Sequence, residues 1–362
     1  MKHGYFLLAL CLALLLTGGG AAQAQGPAVD GLVTVRAATT VAETVSQLQS
    51  TIQDRGLILL ATVDHAANAQ GVGQELRPTQ LIIFGNPNLG TQLMQNQQSV
   101  GIDLPQKFLV WEDEAGQVNV SYNDPQYLQN RHSLTGPADV LTTISNALGG
   151  LSSAGMAAAE TEAMAPAESP PATLPASGAD MTATPWWLIG GGLLLVGTAW
   201  LLRRRGWSKL LILVVTPLLL TTLAQPGVTA QESNGLVSVD SPHSVEETVN
   251  RMQTTMGERG LTVMTTINHA ANAENVGREL RPTQLIIFGN PKLGTQLMQS
   301  SQTAAIDLPQ KFLVWEDAAG QVHMTYNDPQ HLAQRHGITD RDDVLTTISN
   351  ALNGLAEAAS AP

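Results

Sequence analysis

The stretch ELRPTQLIIFGNP occurs at Glu75–Pro87 and again, without a change, at Glu279–Pro291. In each place a short apolar run, LIIF, lies between Arg-Pro and Gly-Asn-Pro, a pattern that predicts a buried strand closed by a turn. The same offset of 204 residues superposes everything around it with no insertion, so the chain holds two copies of one domain, 31–151 and 235–355. Each copy must therefore build its own strands and helices around this run.

The order of elements follows from either copy. LVTVRA, from Leu32, alternates as an exposed edge strand does. Thr40 and Glu43 form a capping box for a helix whose Val41, Val45, Leu48 and Ile52 share one face, and Gly56 stops it. LILLATV, 57–63, predicts a buried strand; LGTQLMQNQQ, after the Gly-Asn-Pro turn, a short helix. KFLVWED and QVNVSY flank Glu114-Ala115-Gly116 as a hairpin with Val118, Val120 and Tyr122 on one side. Asp124-Pro125 starts another helix, and ADVLTTISNAL, with Val140, Leu141, Ile144 and Leu148 in a stripe, closes the domain. The fold class is α+β: two copies of a small domain with helices packed on a largely antiparallel sheet, separated by a linker and membrane segments.

Charged residues are only 13% of the 362, about half the usual share, and the formal net charge is -12. An acidic chain without clustered Lys and Arg repels a phosphate backbone, which excludes nucleic acid as a partner. The lone cysteine, Cys11, excludes a disulfide framework and a cysteine-based zinc site.

Outside the repeats the sequence reads as targeting. Residues 1–24 have a basic start, an apolar run and Ala22-Gln23-Ala24, as a secretory signal peptide has. Residues 156–185, rich in Ala, Pro, Ser, Thr and Glu, read as a disordered linker. Residues 186–202 have the length of a transmembrane helix with tryptophans at its ends, followed by Arg203, Arg204 and Arg205. A second apolar segment, 207–224, contains Pro217 and reads either as a returning span or as an internal signal-like sequence. The expected location is the cytoplasmic membrane, with both repeats on the periplasmic or extracytoplasmic side.

The series HAANA, GxELRPTQLIIFGNPxLGTQLM, DLPQKFLVWED, GQV and YNDPxxLxxRH, present in both copies, resembles the bacterial and archaeal family called domain of unknown function 302. The resemblance covers each copy almost end to end. It implies a compact α+β fold in single or tandem copies and supplies no activity.

Polar positions that recur at the common offset are the candidates for a site. His65, Asn68, Arg131 and His132, with His269, Asn272, Arg335 and His336, offer imidazoles and hydrogen-bonding groups suited to a ligand, a proton or a metal near neutral pH. Gly85 and Asn86, with Gly289 and Asn290, open a strand-to-helix turn whose free amides can hold an anion; a plain turn, in which Gly85 gives backbone freedom and Thr91 starts the helix, competes with that reading. Trp111, Tyr122 and Asn123, with Trp315, Tyr326 and Asn327, lie at strand ends where they can line a pocket. Asp64 is replaced by Asn268, which argues against an essential carboxylate there. No catalytic residue is assigned, and neither a cofactor nor a metal is identified. The preferred function is a membrane-tethered envelope protein whose repeats bind a small ligand or a protein partner; the alternative is an enzyme or metal-binding module using the recurring His and acidic residues. Domain-domain or homo-oligomer pairing is a further expectation for a duplicated fold.

Overall fold

A computed structural model of the chain describes residues 29–136, 138–162 and 234–362. Both repeats belong to one compact unit. The first runs β1 (Leu32–Ala37), α1 (Val41–Asp54), β2 (Ile58–Asp64), α2 (His65–Gly71), β3 (Thr79–Gly85), α3 (Pro87–Asn96), a 3₁₀ turn (Gln98–Ile102), β4 (Gln106–Glu112), β5 (Val118–Asn123), α4 (Pro125–His132) and α5 (Ala138–Glu162). The second repeats it as β6 (Leu236–Ser241), α6 (Val245–Glu258), β7 (Thr262–Asn268), α7 (His269–Glu274), β8 (Thr283–Gly289), α8 (Pro291–Ser300), a 3₁₀ turn (Gln302–Ile306), β9 (Gln310–Glu316), β10 (Val322–Asn327), α9 (Pro329–His336) and α10 (Asp342–Ser360). Each sheet is antiparallel, in the order β1-β5-β4-β3-β2 and β6-β10-β9-β8-β7.

The apolar run of β3 is continuous because both faces of the sheet are covered there. Ile82 and Phe84 join Phe108 and Val110 beneath Val45, Leu48 and Ile52 of α1 and Ile144 and Leu148 of α5. Leu81, Ile83 and Leu109, on the opposite face, belong to a core made mostly of second-repeat residues, Leu285, Ile287 and Ile306 among them. A side chain buried as fully as Leu48 or Ile52 contributes about 1.5–3 kcal/mol. Sharing a core therefore ties each repeat to the other.

The 3₁₀ turn of each repeat lies against the other repeat's sheet. A Cβ at Gly101 would come within 3.0 Å of Leu313 Cδ1, so the turn packs closely on β9. Polar groups fix the register. Gln98 Nε2 donates to Thr283 Oγ1 at 2.6 Å while Arg281 donates to Gln98 Oε1, and Gln302 repeats the arrangement with Thr79 and Arg77.

Several local expectations hold. The Thr40–Glu43 capping box is formed in both directions, and Asp124 caps α4 with Pro125 behind it. The exchange of Asp64 for Asn268 has a physical reason: both oxygens cap the next helix, accepting from Ala67 N and Ala271 N, a task the two side chains share.

Other expectations need correction. LILLATV forms β2 at the sheet edge rather than a buried strand; with no strand beyond it among the described residues, Ile58 is 49% exposed and Leu60 37%. Helix α5 runs on to Glu162, into residues assigned to the linker, because Ala-rich sequence continues a helix readily. The membrane location does not stand either. Among the described residues no helix is long and apolar enough to cross a membrane, and the signal peptide, most of the linker and both apolar segments lie outside the described residues.

Candidate functional site

Two kinds of polar constellation occur where the repeats meet. The first is a charged cluster. Asp103 follows the 3₁₀ turn, and its carboxylate, completely buried, accepts from Arg131 Nη1 at 2.9 Å and pairs with His132 Nε2 at 2.7 Å; the His132 Nδ1 lies 3.1 Å from Ser99 Oγ. Arg131 also crosses to the second repeat, donating to Asn327 Oδ1 at 2.8 Å and to the carbonyls of Asn234 and Gly235. In the mirror arrangement Arg335 donates to Asp307 at 2.7 Å, Asn123 Oδ1 at 2.8 Å and the Asp30 carbonyl, and its guanidinium lies 4.2 Å from the Tyr127 ring centre.

Burial alone raises the Asp103 pKa, but Arg131, His132 and Lys107 together hold the carboxyl far below its usual range. Lys107 and Lys311 donate to the Asp103 and Asp307 carbonyls from fully buried positions. Burial, then the neighbouring Lys107, pushes Lys311 down to about 7. Asn123, Arg131, His132, Asn327, Arg335 and His336 are thus gathered together: the arginines and asparagines fasten the repeats to each other, and His132 and His336 hold Asp103 and Asp307 within their own repeats. The buried Asp103 carboxylate pairs with Arg131, whose remaining donors reach across to Asn327 and Gly235; losing either partner of the pair strands a charge.

The second constellation is a pair of equivalent cavities, of about 120 Å³ and 190 Å³. The first is walled by Phe84, Met94 and Leu104 and by Ile144, Leu148 and Leu151 of α5, and is completed by His269 and Asn272 of α7 from the other repeat. The second uses Phe288, Met298, Leu308, Ile348 and Leu352, with His65 and Asn68 of α2 completing it. Among the described residues no Asp, Glu, Lys or Arg lines either one.

Each cavity collects polar atoms that lack partners. Thr91 Oγ1, Gln106 Nε2 and His269 Nε2 belong to residues lining the first, and Thr295 Oγ1, Gln310 Nε2 and His65 Nε2 to those lining the second; all six are buried with no hydrogen-bond partner among the described residues. An orphaned buried polar atom costs about 1–3 kcal/mol, so native chains keep few of them. Three at one cavity, matched by three at its twin, form a pattern rather than scattered defects.

The imidazoles are neutral at pH 7. Burial lowers the pKa of His65 to about 4, against a hydrogen bond to the backbone of Ala305 and the nearby charge of Asp64; burial lowers His269 to about 4 against a hydrogen bond to the backbone of Gly101. A backbone carbonyl calls for an N–H and Nε2 is unpartnered, which assigns the ring proton to Nδ1. Nε2 then presents a lone pair.

The sequence candidates divide accordingly. His65 and Asn68 meet Gly289 and Asn290 in one cavity, while His269 and Asn272 meet Gly85 and Asn86 in the other. His65 and His132 do not share a site: both nitrogens of His132 are engaged in the charged cluster. No group of three or more His, Cys, Asp or Glu among the described residues can hold a metal ion. Trp111 and Tyr122 face opposite sides of the sheet and line no common pocket. Trp111 Nε1 donates to Ser121 Oγ at 3.0 Å, whereas Tyr122 packs edge-on to Phe108 under the helices. Trp315 and Tyr326 repeat this, bonding Thr325 Oγ1 and Asn353 respectively.

The Gly-Asn-Pro turn differs in detail from its reading. Asn86 Oδ1 accepts from the Asn88 and Leu89 amides, so those donors at the helix start are already used by the cap. Gly85 has no left-handed backbone; a Cβ there would come within 3.2 Å of Pro105, and close approach is what the position requires. Thr91 does not begin the helix but sits inside it, buried against the cavity. Thr91, Gln106 and Asp103 were overlooked as site residues, although all three lie in motifs shared with the second copy.

Residues 33–151 and 237–355 each match the family described as Domain of unknown function DUF302. Three relatives are each 49% identical over 111 residues, 31% of this chain: Fluoride-specific ion channel FluC 1 of Brucella suis biovar 1 (strain 1330), FluC 1 of Brucella abortus biovar 1 (strain 9-941) and FluC 2 of Brucella melitensis biotype 1. The match spans 44% of the first and 41% of the other two, so this chain covers less than half of each. An uncharacterised conserved DUF302 protein from Bacillus stearothermophilus, of known crystal structure, aligns with 34% of this chain and 98% of its own at 16% identity and a TM-score of 0.33.

Proposed function

This chain belongs to the DUF302 family, and we propose that its tandem repeat is a binding protein with two equivalent sites for a small, largely apolar ligand. The observation that carries this reading is the set of three unpartnered buried polar atoms at each apolar cavity, repeated in both halves. Such cavities with a few convergent polar groups are what small-molecule sites are made of. Each site is composite, since α7 of the second repeat completes the first repeat's cavity and α2 of the first completes the second's.

Binding is favoured over catalysis by the state of these groups. Thr91 Oγ1 and His269 Nε2 line one cavity without bonding each other, so the hydroxyl has no base to activate it. The Brucella relatives are named fluoride channels, but conduction is not carried over from proteins of which this chain matches less than half.

Native mass spectrometry of the full chain, purified from its own host, tests the proposal. A mass excess lost on denaturation, in two equal steps at full occupancy, is expected. A chain that stays at its sequence mass in repeated preparations contradicts it.

A further inference from the structure

Resting on the binding reading above, we infer that each cavity selects a neutral ligand whose apolar body carries a single polar head able to donate one hydrogen bond and accept another. Hydroxyl and primary amide groups are the chemistry that fits.

The inference follows from the valence of the six orphaned atoms. His269 Nε2 and His65 Nε2 are buried without a partner among the described residues, and with the ring proton assigned to Nδ1 they accept. The amide nitrogens of Gln106 and Gln310 can only donate. Thr91 and Thr295 hydroxyls do either. A head group that satisfies the site must therefore offer an N–H or O–H to the imidazole and a lone pair to the glutamine, and the threonine adapts to whichever valence remains.

Charge is excluded by what the walls lack. Among the described residues no carboxylate, ammonium or guanidinium lines either cavity, and the helix-start amides beside Asn86 and Asn290 are taken by those side chains. An ionised ligand would lose its hydration with nothing to replace it. Apart from Asn86 and Asn272 in the first cavity and Asn68, Asn290 and Thr262 in the second, the remaining lining is apolar, which calls for an apolar body. An apolar cavity of about 150 Å³ accommodates benzene, so volumes of 120 Å³ and 190 Å³ suit a six-membered ring or a short branched chain bearing one substituent. Ile58 and Leu60 at one mouth, and Met264 at the other, are partly exposed and extend the apolar surface outward, which gives such a body a path in.

A set of ring-matched probes tests the class on the full chain at pH 7 by titration calorimetry: toluene, phenol, benzamide, benzoate and benzylammonium. Phenol and benzamide are expected to bind at least about tenfold more tightly than toluene, since each hydrogen bond made to a waiting buried partner is worth up to roughly tenfold. Benzoate and benzylammonium are expected to bind at least tenfold more weakly than phenol. The paired substitution Thr91→Val and Thr295→Val should narrow the phenol-to-toluene ratio, and its circular dichroism and urea midpoint show independently that the chain folds. Equal affinity for phenol and toluene, or preference for either ion, overturns the class. So does failure of every probe to bind; a molecule retained in native mass spectrometry would then still uphold binding and would reveal a head group of another kind.

Discussion

Acidification from pH 7 to pH 5 should cost this chain about 4 kcal/mol of stability at two residues. His65 and His269 have folded pKa values near 4, against 6.5 in the unfolded chain. Because the folded value is depressed, the unfolded state takes up protons first as pH falls. The contribution is fully present above 6.5 and is lost between 6.5 and 4. For one such group the difference in proton binding between pH 7 and pH 5 amounts to about 2 kcal/mol, and two groups double it. That is a large part of a typical stability of roughly 5–15 kcal/mol. Asp103 and Asp307, held below the ordinary carboxylate value, act mainly below this window, while Lys311, lowered to about 7, adds a few tenths of a kcal/mol in the same direction and is common to the wild type and the variant. His331, also lowered by burial, adds in the same direction but is common to the wild type and the variant. The assay is urea unfolding at both pH values for the wild type and for His65→Asn with His269→Asn, in which the amide can replace the Nδ1–H donor. The wild type should lose about 4 kcal/mol more than the variant on acidification. Equal losses would refute the assignment of two buried neutral imidazoles.

Three other perturbations have defined outcomes. Arg131→Met should destabilise by about 3–5 kcal/mol in urea, because it strands the buried Asp103 carboxylate and removes the bonds to Asn327 and the Gly235 carbonyl. Thr91→Val with Thr295→Val should raise stability by about 1 kcal/mol per site while weakening phenol binding, since each removes an orphaned hydroxyl that only a ligand can satisfy. Gly31→Ala should cost about 2–5 kcal/mol, as its φ of +66° and a Cβ placed 2.2 Å from Tyr127 Cγ both oppose it; Gly116→Ala, at φ +77° in open space, should cost only about 1 kcal/mol, measured by thermal melts.

The fold was legible where local chemistry and periodicity agree. Thr40 with Glu43, Asp124 with Pro125 and the hairpin around Gly116 each specify their geometry within a few residues, and the repeat supplied every such signal twice. β2 was misread because LILLATV is apolar at successive positions, and only sheet order makes it an edge whose Ile58 and Leu60 open on a cavity mouth. The site was half legible. Recurrence picked out His65, Asn68, Gly289 and Asn290, yet their meeting depends on a fold in which the copies exchange α2 and α7 across the interface, which spacing along the chain does not encode. Thr91 and Gln106 were missed for a related reason: a threonine in a helix and a glutamine opening a strand commonly face water, and only burial without a partner distinguishes these two. Arg131 and His132 looked like chemistry because they are polar and recur. Asp103, two residues before Pro105, is what turns them into a fastening.

The central claim is that each site is made by both repeats, and phenol stoichiometry in two double variants tests it most directly. Thr91→Val with His269→Asn changes one cavity only, so one of the two sites should survive; Thr91→Val with His65→Asn changes both cavities, so neither should bind at wild-type strength. The reverse pattern, with both sites lost in the first variant and one kept in the second, would place each site within a single repeat and contradict the account.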